Sequence, residues 1–113
     1  QASAVFVVGL SVLGIAAAEE VVWRGWVMGS LSERYGARGG WLSTTALYAM
    51  AHLPTVYLLR DPVAGPNPLL VLAALGGGLV WGYLTMKVDR LGPSMFVHAL
   101  LAWAVVEYPL WRM

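Results

Sequence analysis

Four long segments without a charged side chain divide the sequence, and their lengths limit the folds available to it. They are Ala2–Ala18, Gly39–Leu59, Pro62–Met86 and Leu91–Val106. Each is close to the roughly 20 residues that a helix needs to cross the hydrocarbon core of a bilayer. Charged residues make up only 12% of the chain, about half the share in an average soluble domain. The sequence therefore predicts an all-α, polytopic membrane bundle with about four transmembrane helices.

Composition also excludes several classes of function. The chain contains no cysteine, so disulfide and thiolate chemistry are absent. A net charge of +1 argues against a nucleic-acid partner. The first apolar segment lacks a basic start and runs into two carboxylates, which is unlike a signal peptide. Because the sequence begins at Gln1 rather than Met, we expect residues 1–113 to form one transmembrane domain of a longer protein.

The apolar pattern predicts four helices separated by three loops. The predicted helices are Ala2–Ser32, Trp41–Leu59, Leu69–Met86 and Pro93–Trp111. The predicted loops are Glu33–Gly40, Arg60–Pro68 and Lys87–Gly92. Loop residues Arg34, Arg38, Lys87 and Arg90 would share one membrane side, against Arg60 and Arg112 on the other. The excess of positive charge predicts that the first side is cytoplasmic.

Two residue types within the helices predict local distortions or close packing. Pro54 should kink the second helix just after His52. Gly78 and Gly82, with their glycine neighbours, should let another backbone approach the third helix. Gly25 and Gly29 form a small-xxx-small pair that should do the same for the first helix.

Three ionisable residues interrupt the first predicted helix. Glu20 and Arg24 are four residues apart and should face each other. Glu19 projects about 100° away around the helix axis, so it is free for another partner. Ionisable groups within a membrane helix mark a functional site by default, although the Glu20–Arg24 pair alone could be purely structural. Tyr48, one turn before His52, could pack or form a hydrogen bond.

Two histidines come from other helices. Counting residues from the first loop places Glu19 and His52 at a similar depth of about 18–20 Å. His98 falls nearer the surface by about 10 Å, and tilt or a half-buried helix start would have to close this gap.

A carboxylate beside a neutral imidazole, shielded from bulk water, can activate a water molecule. A second imidazole can donate to the oxyanion that forms when this water attacks a carbonyl. We therefore predict peptide-bond hydrolysis with Glu19 and His52 acting on water and His98 on the oxyanion. The same three residues would also make a zinc ligand set. Since the helical His-Glu-x-x-His arrangement is absent, we expect no metal, with zinc as the alternative.

The motifs resemble those of the CPBP (CAAX protease and bacteriocin-processing, or Abi) family of intramembrane proteases. Glu19-Glu20-x-x-x-Arg24 resembles its first motif, and Tyr48-x-x-x-His52 resembles its second, which is usually Phe-x-x-x-His. The stretch from Gly78 to Ala99 resembles the approach to the third motif, His-x-x-x-Asn, with His98 as its histidine. The resemblance covers about residues 15–106.

This resemblance implies an α-helical membrane protease of the glutamic type that acts on a membrane-associated protein or peptide. It implies that Glu19 and His52 activate water and that the third-motif His and Asn bind the oxyanion. Ala102 occupies the Asn position and cannot donate, so another group must substitute or the oxyanion site is weakened. We expect an integral protein of the prokaryotic plasma membrane, with no nucleic-acid partner.

Two further functions compete with proteolysis. A non-catalytic membrane scaffold or immunity-type relative could keep the polar cluster for folding, and Ala102 favours this alternative. Retention of Glu19, Arg24, His52 and His98 together favours the enzyme, since a scaffold has little reason to hold all of them in lipid. An ion or proton carrier would need a polar path across all helices. The third predicted helix has no ionisable residue between Leu69 and Met86, which argues against it.

Overall fold

The computed structural model of the chain describes residues 2–58, 65–66 and 68–107. Its helices follow one another as α1, a π-helical segment, and α2 to α5. Their bounds are Ala2–Glu20 for α1, Val21–Val27 for the π-helical segment, Met28–Ala51 for α2, Leu53–Leu58 for α3, Leu69–Val88 for α4 and Gly92–Glu107 for α5. The predicted all-α architecture is confirmed.

Two helical stretches, Ser3–Leu58 and Leu69–Val88, are long and apolar enough to cross a membrane. Large apolar side chains such as Phe6, Trp26 and Leu100 are exposed along these stretches and along α5. Contiguous apolar surface of this kind needs an apolar environment to cover it. The fold is therefore an all-α membrane bundle.

A single glycine folds the first stretch back on itself. Gly36 has a φ of 81° and a ψ of 169°, a backbone conformation that essentially only glycine adopts. The helical segments before and after Gly36 pack closely, since a Cβ on Gly40 would lie 2.6 Å from the Ser32 amide nitrogen. The predicted loop Glu33–Gly40 is wrong, because its residues other than Gly36 remain helical.

The first predicted helix, Ala2–Ser32, is helical throughout, but it continues past Ser32 to the Gly36 turn and is not uniform. Directly after Glu20, the segment Val21–Val27 is a π-helix. Its hydrogen bonds span five residues, as when the Met28 amide donates to the Trp23 carbonyl. A π-helix is rare and is often found at functional sites. Here it directly follows the two acidic residues.

Pro54 interrupts the helix that follows the Gly36 turn, where the sequence predicts a kink. His52 separates α2 from α3 with a φ of −89° and a ψ of −6°. Its amide donates to the Ala49 carbonyl at 3.1 Å, a tighter turn than an α-helix makes. The predicted helix end at Leu59 and most of the predicted loop Arg60–Pro68 lie outside the described residues.

Helix α4 packs against α2 through its glycines, as predicted. A Cβ on Gly78 would lie 3.2 Å from Thr45 Cγ2, and one on Gly82 would lie 2.6 Å from Trp41 Cδ1. Larger residues there would push the helices apart. The Trp41 indole also donates to the Leu79 carbonyl at 2.9 Å, which fixes the register of the two helices.

The turn between α4 and α5 sets the depth of His98. Asp89 ends α4 in the left-handed conformation, with a φ of 57°. Two residues later, Leu91 lies beside Gly25, where an added Cβ would be 3.3 Å from the Leu91 Cδ1. The predicted pair of Gly25 and Gly29 is wrong at Gly29, because an added Cβ there meets no atom of the described residues within 4 Å. Gly25 precedes the Gly36 turn by eleven residues, or about 16 Å of helix. Helix α5 therefore begins deeper in the bundle than the Gly36 turn. His98 reaches the depth of Glu19, and the expected difference in depth of about 10 Å between them is absent.

The start of α5 is close to the predicted residue Pro93, one position earlier at Gly92. The buried Ser94 hydroxyl forms a hydrogen bond with Thr85 of α4, which holds the first turn of α5 against its neighbour. The predicted helix end at Trp111 lies outside the described residues.

Candidate active site

Glu20 and Arg24 form the buried pair that their spacing predicts. Arg24 Nη1 donates to Glu20 Oε2 at 3.0 Å, and the two side chains are 1% and 0% exposed. The guanidinium also lies 4.2 Å above the Tyr48 ring and 5.6 Å from the Trp81 ring. Aromatic faces stabilise a cation that has lost its water. The charge of Arg24 is thus balanced by one carboxylate and two aromatic rings.

His98 connects the two acidic residues. Its Nδ1 lies 3.0 Å from Glu20 Oε2, and its Nε2 lies 3.4 Å from Glu19 Oε2. Because the Glu20 carboxylate paired with Arg24 can only accept, Nδ1–H of His98 is the donor. When Nε2 is protonated as well, two cations and two anions make the cluster of Glu19, Glu20, Arg24 and His98 neutral. Neutral pairing is what makes charge tolerable inside a low-dielectric interior.

Trp81 fixes the plane of His98. The indole and imidazole rings stack with centroids 4.0 Å apart and planes 15° apart. Gly77, one turn earlier on α4, leaves the space that the indole fills, since a Cβ there would collide with Trp81. His98 is therefore held by a carboxylate at one nitrogen and by an aromatic face.

Glu19 accepts a hydrogen bond from the Tyr48 hydroxyl, whose oxygen lies 3.1 Å from Oε2. The His98 contact goes to the same oxygen. Within the described part of the chain, both contacts therefore leave Oε1 of Glu19 for another partner. The Glu19 side chain is 35% exposed, unlike the fully buried Glu20.

His52 is oriented by the backbone of its own helix. Its Nδ1 lies 2.7 Å from the Tyr48 carbonyl oxygen. A carbonyl only accepts, so Nδ1–H donates and the neutral ring carries its lone pair on Nε2. The bond is possible because the His52 amide turns to the Ala49 carbonyl instead. Among the described contacts, none is a hydrogen bond between His52 and Glu19.

The three predicted catalytic residues, Glu19, His52 and His98, nevertheless line one cavity, whereas Glu20 and Arg24 do not line it. It has a volume of about 310 Å³ and is lined by Val12, Ile15, Ala16, Glu19, Tyr48, His52, His98 and Ala102. This volume holds several water molecules. A second cavity of about 180 Å³ shares Tyr48, His52, His98 and Ala102 and is otherwise lined mainly by apolar residues of α4 and α5. A larger cavity beside the α4–α5 turn is lined by neither Glu19 nor Glu20 and by neither histidine.

The described residues contain no arrangement of side chains suited to holding a metal ion. No group of three or more His, Cys, Asp or Glu side chains there is arranged to hold a metal ion. Glu19 and His98 contact each other, while the Nδ1 of His52 is occupied by a carbonyl.

Sequence reasoning missed two contacts of His98. The stacking of Trp81 could have been found from the position of Gly77 four residues earlier on the same helix face. The contact between His98 and Glu20 left no signal in the sequence, because it depends on the depth of α5 in the bundle. Glu20 is thus more than the ion-pair partner of Arg24.

The fold and site together define a class: a helical membrane protein with carboxylates, imidazoles and an arginine gathered in its interior. Residues 1–104 match the family described as Type II CAAX prenyl endopeptidase Rce1-like. Because the match covers most of the chain, the protein belongs to this family, and the resemblance seen in the motifs is confirmed. The family is therefore one of proteases. No curated protein and no solved structure gave a significant match.

Proposed function

We propose that this protein is an intramembrane endopeptidase in which Glu19 and His52 activate water. One observation carries the proposal. Glu19 of α1, His52 at the end of α2 and His98 of α5 line a single cavity of about 310 Å³. The chain positions that meet there are far apart in sequence, and each presents a group able to move or donate a proton.

Water activation is assigned to Glu19 and His52. The Oε1 atom of Glu19 and the lone pair on Nε2 of His52 are the acceptors left open by the contacts of their other atoms. A water molecule between them would lose a proton as its oxygen attacks the carbonyl carbon of the scissile amide. General-base assistance of this type accelerates a reaction by about 10²–10⁴-fold.

His98 is assigned to the developing oxyanion. When it is protonated, His98 Nε2 is the proposed donor, since His98 lines the cavity and Glu20 and Trp81 hold its ring in place. When the tetrahedral intermediate collapses, the carbon–nitrogen bond breaks and the amine leaves with the proton taken from water. The products are a new carboxylate and a new amine, so one water molecule is consumed for each bond cleaved.

The substrate is proposed to be a membrane-associated protein or peptide, reached within the lipid bilayer. We further propose that the reaction needs no metal and that the protein works in the prokaryotic plasma membrane. A chelator should leave the cleavage rate unchanged, and a loss of activity restored by zinc would refute the metal-free proposal.

A non-catalytic relative is the second candidate, and Ala102 favours it. This residue lines the cavity but has no side-chain donor. Loss of one oxyanion donor costs about 10²–10³-fold in rate. Such a loss lowers activity without abolishing it, so the enzyme remains the proposal.

Reconstitution into liposomes with membrane-anchored peptide substrates tests the proposal. The rate should fall by about 10²-fold or more in Glu19→Gln and in His52→Ala. Glu33→Gln provides the matched control, because Glu33 is exposed on α2 and its substitution should leave the rate unchanged. Undiminished cleavage by Glu19→Gln would show that Glu19 is not the base. Absence of cleavage by the unaltered full-length protein across the substrate set would favour the non-catalytic alternative.

A further inference from the structure

Tyr48 contacts both Glu19 and His52, the two residues proposed to activate water. Its hydroxyl donates to Glu19 Oε2 at 3.1 Å. Its main-chain carbonyl oxygen accepts from His52 Nδ1–H at 2.7 Å. One residue thus holds a carboxylate from α1 through its side chain and an imidazole from its own helix through its backbone.

We propose that Tyr48 is the positioning residue of the water-activating pair, an inference that rests on the proposed function. The hydroxyl bond occupies Oε2 of Glu19 and turns Oε1 towards the cavity. The carbonyl bond fixes the ring of His52 so that its Nε2 lone pair is the free acceptor. A misplacement of about 1 Å in a reacting group can cost about 10²-fold in rate, so this control has a direct effect on catalysis.

The position of the Tyr48 ring does not depend on its hydroxyl. The ring is buried and contacts Trp23 edge-on, with centroids 5.4 Å apart. The Arg24 guanidinium lies 4.2 Å from its centroid, and Trp81 packs edge-on at 6.3 Å. A phenylalanine ring has the same shape and should occupy the same place. Tyr48→Phe therefore removes the bond to Glu19 while the bond from His52 to the backbone remains.

The first test compares the kinetics of Tyr48→Phe with those of the unaltered full-length protein in liposomes. We expect kcat to fall by about 10- to 100-fold, with KM unchanged within about twofold, because substrate contacts are retained. Tyr83→Phe is the matched control, since Tyr83 is exposed on α4 beside Trp41. That variant should keep the full rate.

The second test reads the hydrogen bond in the substrate-free protein. The carboxylate stretching band of Glu19 is isolated by subtracting the infrared spectrum of Glu19→Gln. Tyr48→Phe should shift this band, and Tyr83→Phe should leave it in place. A tyrosine that served only to pack the helices would not move the band.

The two tests also separate this inference from the proposed function. If the unaltered protein cleaves substrate but Tyr48→Phe retains its kcat or its Glu19 band, the positioning role is wrong and the proposed function stands. If the unaltered protein cleaves nothing, the proposed function fails and the positioning role fails with it. Reduced kcat together with a shifted band supports the inference.

Discussion

Removing one member of the buried Glu20–Arg24 pair should destabilise the protein more than removing both. In Arg24→Leu, the Glu20 carboxylate stays 0% exposed but loses the guanidinium and keeps only the contact with His98 Nδ1–H. In Glu20→Leu, the guanidinium stays buried, and its Nε and Nη2 atoms already have no hydrogen-bond partner. The double variant contains neither charge, so it avoids the unpaired ion that each single variant leaves behind.

The magnitude follows from the geometry. The pair is separated by 3.0 Å, which at an effective dielectric constant of about 20 corresponds to roughly 5 kcal/mol of attraction. Breaking a buried pair by removing one partner typically costs about 3–5 kcal/mol. The double variant avoids this cost but leaves the Nδ1 donor of His98 without Glu20, a loss of about 1–3 kcal/mol. We therefore expect the double variant to lose less free energy of unfolding than the two single variants lose together. The difference should be about 3 kcal/mol or more.

Unfolding in mixed micelles, titrated with a denaturing detergent and followed by far-UV circular dichroism, measures these free energies. Glu33→Leu, at an exposed site on α2, should change the free energy of unfolding by less than about 0.5 kcal/mol. Additive losses in the Glu20→Leu and Arg24→Leu cycle would refute a direct ion pair between these two side chains.

Two further predictions concern the turn and the cavity. Gly36→Ala should lower the free energy of unfolding by about 1–3 kcal/mol, because the backbone conformation at position 36 is strained for any residue other than glycine. Gly29 is helical and has free space around it, so Gly29→Ala should raise the free energy of unfolding by about 0.5–1 kcal/mol in the same experiment. Ala102→Asn should raise kcat by about tenfold or more by adding a donor to the cavity, whereas Ala102→Leu should not; equal rates for the two variants would exclude a missing oxyanion donor.

Much of the fold could be predicted because it depends on local chemistry. The apolar run that forms α4 begins at the predicted Leu69 and ends two residues beyond Met86, since continuous apolar residues of this length favour a membrane helix. Pro54 cannot donate a backbone hydrogen bond, so the break at His52 follows from the sequence. Gly78 and Gly82 marked the close approach of α2 for a similar reason.

The features that could not be predicted depend on interactions between distant segments. The region Glu33–Gly40 contains three glycines, and nothing in the local pattern shows that Gly36 alone reverses the chain. The π-helical segment Val21–Val27 has the composition of an ordinary helix. The depth of His98 depends on where the α4–α5 turn meets Gly25, a contact between residues far apart in sequence.

The candidate site shows the same division. The Glu20–Arg24 contact follows from their spacing on one helix and was predictable. The approach of His98 to both acidic residues, with Trp81 behind it, required the positions of α4 and α5. Catalytic roles for Glu19, His52 and His98 stay predictions until activity is measured.

A single-turnover cleavage in water enriched in oxygen-18 tests the central claim most directly. Direct attack by water held between Glu19 and His52 places one heavy oxygen in the new carboxyl group of the product and none in the Glu19 side chain. Mass spectrometry of both peptides reads the two positions. Heavy oxygen in Glu19 together with an unlabelled product would instead show covalent attack by the carboxylate, and it would contradict the account.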